Sequence, residues 1–210
     1  MICQLQWRLS VLFAASLALA FAPGPDNIFV VTQSALNGRL AGLLVTIGLC
    51  PGLLLHTAAV AIGLAALFAT SAAAYNLLKV AGVAYLIYLA WQALRAGTIE
   101  SFDTQGPGLS RCDLYLQGVI MNITNPKVAI FFMAFLPQFA DPELGSLELQ
   151  LTILGVVFIF AALFSFSIFA WLSGHLGSWM RRSDRAQSIL NRIAALVFVT
   201  LAGRLSVSER

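Results

Sequence analysis

Six apolar runs dominate the chain and set its physical class: Leu9–Leu36, Leu40–Phe68, Leu77–Leu94, Leu114–Leu136, Leu149–Leu172 and Ile189–Leu205. Each approaches or exceeds the roughly 20 residues that span a hydrocarbon core about 30 Å thick. Only 10% of the 210 residues are charged and 60% are hydrophobic, against about 25% and about 45–50% in ordinary soluble domains, so a water-soluble fold is excluded. Inside a bilayer every backbone N–H and C=O must be paired within the protein, which leaves helices or a closed barrel. The runs lack two-residue alternation and are too long for barrel strands. They predict an all-α membrane protein with six transmembrane helices, a single polytopic domain over residues 1–210.

Other classes fall away on composition. Arg8 followed by an apolar stretch ending in Ala18, Leu19 and Ala20 imitates a secretory signal. The apolar pattern resumes directly after Asn27, however, so the segment is read as part of the first span. Cys3, Cys50 and Cys112 are odd in number and far apart, which indicates neither a disulfide framework nor a metal site. No cofactor motif is present. The pI near 9.0 and net charge of +3 come from residues at the ends of apolar runs, where topology explains them, and nucleic acid is not an expected partner.

The longest polar connection, residues 97–113, separates two sets of three runs, approximately 1–96 and 114–210. The sets resemble one another. "KVAGVAY" from Lys79 matches "RIAALVF" from Arg192 in residue type throughout, "LVTIGL" from Leu44 lies over "LTILGV" from Leu151, and Pro25–Asp26 corresponds to Pro126–Lys127. Three is an odd number of crossings, so the halves would enter the membrane from opposite sides as inverted repeats. Arg39, Arg95, Arg111, Arg181, Arg182 and Arg185 gather on one side, six against the four of Arg8, Lys79, Arg204 and Arg210, with Lys127 and Arg192 inside runs. The positive-inside rule then places the six in the cytoplasm and both termini in the periplasm.

Two charges lie where a membrane protein can least tolerate them. Asp26 is the only acidic residue in the first 99, and Lys127 is the only Lys or Arg between Cys112 and Met180. An isolated charge at such depth costs about 2.5–3.5 kcal/mol on insertion scales, so each needs a cavity or a partner. Pro23, Gly24, Pro25 and Pro126 predict breaks in the first and fourth helices beside these charges. A broken helix offers free N–H groups and a positive dipole end to a carboxylate, and free carbonyls to an ammonium. Asn27, Asn122, Thr124 and Asn125 add neutral donors and acceptors. Together with Asp26 and Lys127 they make a candidate binding site for a small zwitterion. A simpler reading has Asp26 and Lys127 pair only to fasten the halves. His56, just over a turn beyond Pro51, reads either as a packing residue bonded to a carbonyl or, with Asp26, as a proton-exchanging group. Trp91, Trp171 and Trp179 read as interface anchors.

At these residues the chain resembles the LysE/RhtB family of bacterial amino-acid exporters. The resemblance is carried by "PGPDNIFVVTQSALNGRLAGL" from Pro23, "GLLLHTAAVAIGLAALF" from Gly52, "VAGVAYLIYLAWQALRAG" from Val80 and "GVIMNITNPKVAIFFMAFLPQF" from Gly118. It implies a multi-pass protein of the bacterial cytoplasmic (inner) membrane that exports a small amino acid against proton entry and works as a dimer. It places Asp26, Asn27, Asn125 and Lys127 at the family's characteristic polar positions, with Pro23, Gly24, Pro25 and Pro126 as the breaks. Alternatives are export of another small solute or of an ion, and an intramembrane enzyme. An enzyme would show an HExxH or GxSxG motif or paired aspartates, none of which is present. A metal exporter would need a cluster of acidic or histidine ligands, and a lysine in the site suits a cation poorly.

Overall fold

A computed structural model describes residues 2–21, 24–70, 72–95, 109–141, 144–182 and 184–207. Apart from short turns these are helical: α1 (Ile2–Phe21), α2 (Pro25–Asn37), α3 (Arg39–Thr70), α4 (Ala72–Arg95), α5 (Arg111–Thr124), α6 (Pro126–Ala134), a 3₁₀ turn at Leu136–Phe139, α7 (Leu147–Arg182) and α8 (Asp184–Val207). The first and fourth apolar runs are each broken in two, as their prolines predict. The axes of Ser10–Phe21 and Pro25–Asn37 meet at 61°, and those of Arg111–Thr124 and Pro126–Phe139 at 50°. Proline alone does not account for this, because α3 runs through Pro51 as one helix. At the two breaks proline opens a helix as its first residue, where no intrahelical N–H is needed.

Among the described residues, Arg39–Gly63 in α3 and Leu147–Ser173 in α7 are each long and apolar enough to cross a membrane, and four spans result if each bent pair counts as one. In α8 the apolar stretch is shorter, Asn191–Gly203. The helices are apolar on their outward faces as well: Ile62 is 70% exposed, Leu77 72%, Phe160 66% and Leu196 68%. Water would not tolerate such a surface, whereas lipid tails solvate it. The chain is a multi-pass membrane protein.

Packing centres on α3, which lies against α2, α5 and α7, while α4 pairs with α8 and α1 leans on α7. Lipid gives helices no hydrophobic reason to associate, so close backbone approach and dispersion hold them. Small residues permit that approach. A methyl at Gly48 would lie 2.2 Å from Tyr115 O, and one at Gly118 would lie 2.5 Å from Val45 O, so α3 and α5 meet almost backbone to backbone. Gly155 of α7 likewise receives Thr57 of α3. Between α6 and α7 the filler is aromatic, with Phe158 4.8 Å from Phe132 edge to face and 5.4 Å from Phe131. The single-residue turn between α2 and α3 uses Gly38 at φ +85°, a conformation costly for other residues. Arg39 stacks 5.0 Å above Trp171 and Arg95 4.4 Å above Trp91, pairings suited to an interfacial belt.

Candidate functional site: two helix breaks and the cavity beside them

At the first break Gly24 is the N-cap of α2, and its extended backbone (φ −172°, ψ 170°) accepts from Ile28 N at 3.1 Å. Glycine has no side chain with which to cap. Because Pro25 follows, the N–H groups of Asp26 and Asn27 are the ones left without an acceptor in the helix. Asn27 is 7% exposed, and its Nδ2 donates to Ala20 O, the last turn of α1. Its amide therefore ties the two pieces of the first run together.

At the second break Asn125 closes both helix ends. Its N–H donates to Asn122 O at 3.1 Å and ends α5, while its Oδ1 accepts from Lys127 N at 3.0 Å and caps α6. The remaining Nδ2 reaches across to the first break and donates to Asp26 Oδ2 at 2.9 Å. Asp26 is 4% exposed, Asn125 4% and Asn122 1%. His56 of α3 sets Nε2 3.2 Å from Asn122 O, which requires the ring to carry its proton there. Gly52 makes room for this corner, since a methyl on it would lie 2.4 Å from Asn122 Oδ1. Lys127 and His56 act electrostatically on the Asp26 carboxylate, and the Asn122 side chain lies beside it. Among the described residues, Asp26 Oδ1 and Asn122 Oδ1 are buried without a hydrogen-bond partner, which is unusual for buried polar atoms.

Beside α2 lies a cavity of about 670 Å³, within the size range of small-ligand sites. Gly24, Pro25, Ile28, Phe29, Thr32 and Gln33 of α2 form one wall, and Leu89, Gln92 and Ala93 of α4, Gln117 and Met121 of α5, Lys127 of α6 and Phe198 of α8 form the rest. Asp26 is not among the lining residues. Asp26 bonds to Asn125, while Pro25 and, two turns further on, Gln33 line the cavity together with Lys127.

The sequence-predicted residues are distributed accordingly. Asp26, Asn122, Asn125 and His56 come together, and half-buried Lys127 joins them electrostatically while lining the cavity. Thr124 does not join: it is exposed, and its hydroxyl donates to Ile120 O at 2.8 Å within its own helix. Pro126 is exposed at the start of α6, and Pro23 lies outside the described residues. Sequence reasoning missed Gln33, Gln92 and Gln117. The available signal was neutral amides inside or beside apolar runs, with Gln33 following Pro25 and Phe29 at four-residue spacing on one helical face.

The fold and this site define a membrane protein with a largely apolar cavity, carrying a few polar side chains, beside broken helices. Residues 17–209 match the model of the LysE type translocator, and the chain belongs to that family. It is 33% identical over 205 residues, 98% of both chains, to the homoserine/homoserine lactone efflux protein of Salmonella typhimurium, and equally so to that of Salmonella typhi. An uncharacterized membrane protein of Vibrio cholerae is 31% identical over 184 residues, 88% of this chain and 89% of that one. No solved structure matches it.

Proposed function

We propose that the chain is a secondary exporter carrying a small neutral amino acid, homoserine or a close analogue, out across the bacterial cytoplasmic membrane in exchange for proton entry. The observation that carries this reading is the shared cavity of Lys127 and the uncapped start of α2. A carboxylate there would take the free amides of Asp26 and Asn27 and the Lys127 ammonium, an anion site made of a helix dipole and a charge. The relatives' names supply the homoserine type. Six spans in two inverted halves would rock about the breaks to expose the cavity alternately to each side.

Asp26 is the proton-exchanging group in this reading, with His56 beside it. A proton bound at Oδ1 forms one O–H bond and takes the carboxylate from −1 to 0, which withdraws the charge that balances Lys127. The cavity reaches Gln92 and Gln117, three residues before Arg95 and six after Arg111. On the positive-inside reading this is the cytoplasmic side, from which an exporter loads.

The test is counterflow in proteoliposomes. Vesicles preloaded with labelled homoserine should release label faster when unlabelled homoserine is outside, and release independent of external substrate contradicts a carrier. The Asp26→Asn variant should keep counterflow and lose its response to an imposed proton gradient. An unchanged response removes Asp26 from coupling.

A further inference from the structure

The cavity contains a feature that the exporter reading leaves unused. Its charged wall is Lys127, and none of the described residues lining it is acidic; the Asp26 carboxylate accepts a hydrogen bond from Asn125. A zwitterion whose carboxylate sits at the start of α2 must still find acceptors for its ammonium. The remaining polar side chains of the lining are Thr32 and three neutral amides, Gln33, Gln92 and Gln117.

The amides divide by orientation. Gln33 Oε1 accepts from Asn37 Nδ2 at 2.7 Å, which leaves the Gln33 amide nitrogen as the group it offers, a donor on the α2 side. Gln92 is held in the opposite sense. Its Nε2 donates to Tyr88 OH at 3.4 Å, and Tyr88 is in turn flanked by Tyr85 and Trp91 at 5.9 Å and 6.2 Å between ring centroids, which leaves Gln92 Oε1 to accept. Gln117 faces the same cavity from α5. Donors therefore face the cavity from Gln33 of α2 and Lys127 of α6, and an acceptor faces it from Gln92 of α4, with the Gln117 amide of α5 beside it.

We propose, resting on the exporter reading, that Gln92 and Gln117 are the charge filter of this cavity. Their amide oxygens receive the substrate's ammonium, and the cavity takes zwitterions with uncharged side chains while refusing a second positive charge. An amide oxygen satisfies one ammonium by hydrogen bonding but supplies no negative charge to offset a further cation in a site that already holds Lys127. A carboxylate at the same place would supply it. Glutamate at either position should accordingly admit cationic amino acids.

The experiment uses the full chain in proteoliposomes, with labelled homoserine counterflow competed by unlabelled homoserine or by lysine. The parent should be competed by homoserine at ~10-fold lower concentration than by lysine or better. Gln92→Glu should shift that ratio toward lysine by ~10-fold or more, and Gln117→Glu should do the same and carries the test if the first variant fails to insert. Parent counterflow with an unchanged ratio in the inserted variants overturns the filter and leaves the exporter reading standing. A parent without counterflow overturns both.

Discussion

Among the described residues, the first helix break carries no side-chain cap and the second is closed by one. Gly24 brings no side chain to the start of α2, so the N–H groups of Asp26 and Asn27 have no side-chain cap from it, and Gly24 and Pro25 border the cavity. Asn125, at the corresponding place in the second half, ends α5 with its N–H, caps α6 with its Oδ1 and still has an Nδ2 to give to Asp26. Both breaks begin with a proline next to a charge, yet one borders a cavity through Gly24 and Pro25 and the other spends its polar groups inside the protein. The difference teaches that a break in a membrane helix can offer N–H groups to an anion only where no side chain caps it. Two similar proline–charge sequences can therefore differ in how their helix starts are capped.

Removing the charge that faces the open break should have the largest effect. Lys127→Met is expected to lower homoserine counterflow by ~100-fold or more, on the scale of a lost charge-assisted contact, with membrane insertion unchanged by fractionation; full activity would remove Lys127 from the carboxylate site. Unstitching the closed break comes next. Asn125→Ala removes a cap and strands Asp26 Oδ2, so thermal unfolding in detergent should show a loss of about 1–3 kcal/mol, and wild-type stability would mean that the second break needs no seal. Supplying the cap that the open break lacks is a finer test. Gly24→Ser should raise the KM of transport by ~5-fold, as a hydroxyl worth about 1 kcal/mol competes with substrate for the free amides, while leaving stability equal or slightly improved; an unaltered KM would place the substrate elsewhere. Thr124→Ala should be nearly silent, within about 0.5 kcal/mol and without effect on transport, because the hydroxyl serves only its own helix.

The breaks themselves were legible in the sequence, since a proline beside a charge in an apolar run admits few structures. The all-helical membrane class followed from run length and composition for the same reason. The face of α2 that Asp26 takes was not legible. Residues 25 and 26 differ by about 100° around a helix, and which of them meets the cavity is decided by how α2 docks on α3 and α7. Thr124 looked like a site residue because it precedes Asn125, but a threonine near a helix end commonly bonds back to its own turn. The glutamines were invisible for a different reason, for a neutral amide carries no insertion penalty large enough to single it out. The matched glycines of the two halves also hold different neighbours: Gly48 meets the backbone of α5, while Gly155 meets Thr57 of α3. Small residues mark close approach without naming the partner.

The most direct test is a structure of the full chain with homoserine bound. The account predicts the substrate carboxylate at ~2.7–3.2 Å from the N–H groups of Asp26 and Asn27, beside Lys127 and in the cavity bounded by Pro25. Substrate lodged instead on the Asn125 face of α2, in contact with the Asp26 carboxylate, would contradict it.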